Sequence, residues 1–176
     1  MADIHKVSPY NKEGNMKNFD YLKDIEALKD LYGFCSAAED TQQTNHDMCA
    51  INCRRALEWI VKTIYTLKGV TVEKRTPLLE LITGEPFMQF IGDDDRMLMA
   101  IHYVRKIGNK AAHDGGVKKQ EAFFSLLNIY NVVGGILLKL HVIQSLAIFD
   151  KSHLSRILQP SQWFLKYKFL KSQRCL

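Results

Sequence analysis

His102, Arg105, Asn109 and His113 recur at steps of three and four, so one continuous helix would carry them along a single ridge. An arginine beside a histidine suits phosphodiester chemistry. The guanidinium stabilises a pentacovalent phosphate, and the imidazole moves a proton near neutral pH. The competing reading is structural: His113 bonds a backbone carbonyl and fastens an interhelical joint, while Arg54 or Arg105 pairs with Glu58. The wording of the stretch RKIGNKAAHDGG, Arg105 to Gly116, favours the joint. Gly108 is expected to end one helix, Asn109 to cap a short turn (NKAAH), and Gly115–Gly116 to lead to the next element.

Metal ligation has weaker support. His46, Cys49 and Cys53 fall at helical spacing, but no fourth ligand is evident, and the thiols lie among Ala50 and Leu57 as apolar filler would. Asp93, Asp94 and Asp95 are consecutive, so they cannot all face one point. They suit the start of a helix, where the macrodipole favours acids. No metal and no cofactor is expected. The sequence has no P-loop, no G-x-G-x-x-G, no G-x-S-x-G and no H-E-x-x-H.

These residues need helices to position them. Phe19, Leu22, Ile25, Leu28, Leu31 and Tyr32 predict a first helix over about Asn18–Glu39. After the polar break EDTQQTNHD, Asn45 or Thr44 caps a second helix, about His46–Leu67, with Gly69 as its stop. Its Ala50, Cys53, Leu57, Ile60, Val61 and Ile64 form one broad apolar face. Arg54 and Glu58 lie at the edge of that face, and Arg55 and Lys62 lie opposite. Ile51 and Trp59 also point away from it, which suggests a second packing surface covered by the first helix or by another subunit.

Thr76-Pro77 reads as an N-cap with proline at the first helical position, and LLELI as a short helix. A helix then starts near Asp95, with Met97, Leu98, Ile101 and Val104 inward. The last long helix is expected from about Lys118 to Phe149, with Gly134–Gly135 marking a kink or a close approach. Nothing alternates with period two. The expected fold is all-α: a single bundle of four to six helices with short connections, spanning 18–150.

The 176 residues suit one domain, and 47% apolar content suffices for a substantial core. No run is expected to span a bilayer, because VVGGILLKLHVIQSLAIF is interrupted by Lys139 and His141. With residues 1–17 polar and tail-like and no disulfide pattern among Cys35, Cys49, Cys53 and Cys175, a cytoplasmic location is expected. The net charge of +5 is unevenly placed: residues 151–176 carry six Lys/Arg and no acid. There Lys166, Lys168, Lys171 and Arg174 interleave with Trp163, Phe164, Tyr167 and Phe169. Such a segment binds nucleic acid through phosphates and stacking, or else packs as an amphipathic terminal helix.

CRRALEWIVKTIY (Cys53–Tyr65), followed about forty residues later by VRKIGNKAAH (Val104–His113), resembles a small helical domain of unknown function. That domain sits at the N-terminus of type I restriction enzyme R subunits and of related DEAD/DEAH-box helicases and defence proteins. NFDYLK (Asn18–Lys23) is similar to the opening of such chains, and the likeness covers about Asn18 to Leu140. The wider relatives look like HEPN domains, many of them metal-independent ribonucleases that carry Arg, four to six residues, then His. Asn109 and His113 match the Asn-x-x-x-His part of that pattern, but Gly108 stands where the nuclease pattern has Arg, and seven residues separate Arg105 from His113. The resemblance therefore implies a HEPN-like, non-catalytic interaction module. Its implied partners are a second copy of the chain, restriction-system subunits, and DNA or RNA, with Arg54, Arg55 and Glu58 among the family-motif residues. A ribonuclease using His113 with Arg105 is the alternative.

Overall fold

A computed structural model of the chain describes residues 17–152. Among the described residues there are six α-helices and no strand. They are α1 (Lys29–Thr41), α2 (His46–Leu67), α3 (Leu78–Thr83), α4 (Glu85–Ile91), α5 (Asp95–His113) and α6 (Lys119–Lys139). The fold is an all-α bundle.

α2 organises it. The Asn45 side chain accepts the Met48 amide at 3.0 Å and so caps the helix. Ala50, Cys53, Leu57, Ile60, Val61 and Ile64 are all buried, and the helix touches α1, α5 and α6. Each buried Leu or Ile contributes about 1.5–3 kcal/mol. Gly69 closes α2 at φ +71°, with the Gly69 and Val70 amides donating to the Thr66 and Tyr65 carbonyls.

α6 supplies the opposing wall. Ala122, Leu126, Ile129, Val133, Ile136 and Leu137 are buried. The expectation that no run could span a bilayer needs correction. By length and composition α6 is long and apolar enough, and 61% of the stretch lies inside the bundle, which accounts for its apolarity. The helix ends at Lys139 rather than near Phe149. His141 sits at φ +56° while the His141 and Val142 amides return to the Leu138 and Leu137 carbonyls. The apolar pattern runs on because the following chain folds back. Leu146 covers Gly134, where a Cβ would meet Leu146 Cδ1 at 2.7 Å, and Phe149 packs edge-on against Tyr130. The Gly134–Gly135 pair is thus a close approach.

The expected first helix begins later than its periodicity suggests. Phe19, Leu22 and Leu28 are buried, but Leu22 and Leu28 belong to two 3-10 turns, Asp20–Leu22 and Glu26–Leu28, that precede α1, and Phe19 is the cap residue of the first. The Asn18 side chain ties this segment to both ends of the bundle. It donates to Glu39 at 2.7 Å and to the Asp150 carbonyl at 3.1 Å, and it accepts the Asp150 amide at 2.6 Å. Lys17 adds bonds to Ser36 and Asp40. Pro77 precedes α3 as its cap residue instead of standing at its first position.

Candidate functional site at the crossing of two helices

α5 passes α2 antiparallel, with Asp47 facing the end of α5 and Arg54 facing Asn109. Gly108 does not end a helix; α5 runs unbroken through it to His113. The reason is tertiary. A Cβ at Gly108 would come within 2.9 Å of the Arg54 Cδ and 3.1 Å of the Ala50 carbonyl oxygen. Only glycine lets the two backbones approach this closely, and that packing outweighs the cost of about 1 kcal/mol for glycine inside a helix.

With Gly108 helical, Asn109 caps no turn. Its side-chain oxygen accepts from Arg54 Nε at 2.8 Å, across the helix crossing. The Arg54 guanidinium also lies 3.7 Å from Glu58, whose other oxygen accepts from Lys62 Nζ at 2.7 Å. Arg54, Glu58, Lys62 and Asn109 therefore form one polar seam beside the apolar contact of α2 and α5. Arg55 points elsewhere, with its guanidinium 5.8 Å from the Phe34 ring of α1. Ile51 and Trp59 are half-buried: each packs against the core and leaves part of its side chain open.

Arg105 and His113 share the α5 ridge with Asn109 but do not meet as a pair. Eight residues at about 1.5 Å rise place their Cα atoms about 12 Å apart along the axis. Both side chains lean towards the helix N-terminus, which preserves that offset. His113 is exposed in the last turn. The joint beyond it is fastened by Asp47. Its carboxylate accepts the Gly116 amide at 3.2 Å and the Val117 amide at 2.8 Å, while Gly115 and Gly116 hold left-handed φ of +66° and +69°. Asp47 stands in the first turn of α2, where it also suits the helix dipole. The Gly-Gly pair, whose turned backbone leaves two amides to be satisfied, was the signal for a distant acceptor.

α6 closes against α5 through Lys110 Nζ and Glu121 at 2.8 Å. Burial by itself would raise the Glu121 carboxyl. The hydrogen bonds from Lys110 and from the Lys118 amide outweigh it and leave the group below its ordinary value. Tyr103 is pushed up to about 12, first by burial and then by the charge of Glu121.

Cys35, Cys49 and Cys53 are wholly buried. Burial pushes the Cys35 and Cys53 thiols well up, so they stay protonated and pack as small apolar groups. Among the described residues no three His, Cys, Asp or Glu side chains converge as metal ligands. Asp94 caps α5, accepting the Met97 amide at 3.0 Å. Lys166, Lys168, Lys171 and Arg174 lie outside the described residues.

Set against protein-family models, curated proteins and solved structures, the chain matches none.

Proposed function

We propose that the chain is a non-catalytic helical interaction module of a type I restriction or similar prokaryotic defence system, engaging partner subunits or nucleic acid. One observation carries the non-catalytic part: Arg54 and Asn109 are joined by a 2.8 Å hydrogen bond directly beside Gly108. The family-motif residues Arg54, Gly108 and Asn109 are thereby occupied in holding two helices together. The association with defence systems rests on the sequence resemblance. Homodimerisation through Ile51 and Trp59 belongs to the same proposal. It predicts that Trp59→Glu sediments as a monomer.

The second reading is a metal-independent ribonuclease using His113 and Arg105. It is favoured by the continuity of α5, which keeps Arg105, Asn109 and His113 on one ridge. Incubating the purified chain with varied single-stranded RNAs in chelator separates the two. The module reading expects no cleavage. Cleavage that His113→Ala abolishes would replace it with the ribonuclease reading.

A further inference from the structure

α1 lies at the edge of the bundle. Its inner side, Leu31, Cys35 and Ala38, is buried, mainly against α2, while Asp30, Gly33 and Asp40 on its outer side are exposed. A Cβ added at Gly33 would meet nothing within 4 Å, so the middle of that face is open. Tyr32 and Phe34 flank it, each half-buried against the core.

This side of the bundle is also one-sided in charge. Residues 17–41 hold six acids (Asp20, Asp24, Glu26, Asp30, Glu39 and Asp40) against three lysines. Residues 42–150 hold eleven acids against thirteen bases, so the acidity is local. The last turn of α1 carries Glu39 and Asp40 and no base, although the helix dipole favours cations there. Lys17 pairs with Asp40, whereas Glu39, 8% exposed, takes its hydrogen bonds from the neutral Asn18.

The chain returns to this spot at its other end. One Asn18 side chain bonds both Glu39 and Asp150, so Asp150 stands beside the end of α1. Beyond Ser152 the sequence continues for 24 residues, with five Lys/Arg, no acid, and the aromatics Trp163, Phe164, Tyr167 and Phe169. α1 has 13 residues and is about 20 Å long, and 24 residues span about 36 Å even at the helical rise.

We infer that residues 153–176 dock on the outer face of α1 in the same chain, aromatics over Gly33 between Tyr32 and Phe34, and cations against the acids. Reach, opposite charge and the point of departure all favour this face. The open side of α2 carries Arg54, Arg55 and Lys62 against Glu58 alone, and so repels a basic segment. The inference is independent of the defence-system assignment.

Paramagnetic relaxation in the full chain tests it. Ser172→Cys with Cys175→Ser takes a nitroxide at residue 172, while Cys35, Cys49 and Cys53 are wholly buried and stay unmodified. Docking predicts amide broadening that is strongest over Asp30–Ala37 of α1, weaker on α5, and diminished by salt. Asp24→Lys with Asp30→Lys should weaken docking about tenfold, since exposed charge pairs turn from attraction to repulsion. Glu73→Lys with Asp114→Lys, the same charge change at exposed positions outside α1, should leave it unchanged. Broadening that is strongest elsewhere, or undiminished in the α1 variant, overturns the inference. So does broadening passed from nitroxide-bearing copies to isotope-labelled copies without nitroxide, which would make a second copy the acceptor. An unbroadened α1 in a chain whose residues 153–176 bind a single-stranded oligonucleotide would make nucleic acid the partner instead.

Discussion

α2 meets α6 and α5 in two different ways. Against α6 it presents apolar side chains to apolar side chains, with Leu126, Ile129 and Val133 wholly buried. Between these helices the Cys49 thiol donates to the Ala122 carbonyl at 3.7 Å. Against α5 the same helix needs a glycine for clearance and a polar pair, Arg54 with Asn109, at the edge. The α6 contact depends on volume and tolerates similar apolar side chains. The α5 contact depends on the identity of particular residues. Gly108, Asn109 and Arg54 accordingly gather at the second crossing.

Substitutions can break this contrast, and the largest effect belongs to the apolar contact. Leu126→Ala should cost about 2–5 kcal/mol in urea unfolding, through lost transfer energy and a residual cavity. Gly108→Ala should cost about 1–3 kcal/mol, because overpacking against Arg54 and the Ala50 carbonyl exceeds the gain in helix propensity. Its control is Gly33→Ala in α1, where a Cβ meets nothing within 4 Å. That change should stabilise by up to about 1 kcal/mol. Equal and favourable effects at both glycines would remove the distinction between the crossings.

A smaller effect is expected at the α5–α6 contact. The Glu121 carboxyl lies below its ordinary value when folded. Its stabilising contribution is therefore complete above the unfolded carboxyl value, near pH 4.5. It is lost as the pH falls through the lower folded value. Acid titration of stability should show this loss in the native chain, worth less than about 1 kcal/mol, and Glu121→Gln should remove that component.

The core of α2 was legible in the sequence. Its 3.6-residue period, the Asn45 cap and the Gly69 stop locate it at His46–Leu67, and its six apolar-face residues are all buried. The neighbouring elements were less legible where tertiary packing produced a misleading local signal. Gly108 followed by Asn109 has the look of a helix end, but the glycine serves an approach to a residue more than fifty positions earlier. The apolar run after Lys139 imitates more helix because the returning chain also buries side chains such as Phe149. Phe19 and Leu22 keep helical spacing at the start and end of a 3-10 turn because both are buried against the core. The polar ridge of α5 was visible as a set of types, but the partner of Asn109 was not, since local spacing carries no information about Arg54.

The Arg54–Asn109 hydrogen bond fastens α2 to α5. A double-mutant cycle with Arg54→Ala, Asn109→Ala and the double variant, measured by urea unfolding, tests it most directly. The predicted coupling energy is about 1 kcal/mol, with the wild-type pair favoured. Strictly additive single effects, with coupling indistinguishable from zero, would contradict it.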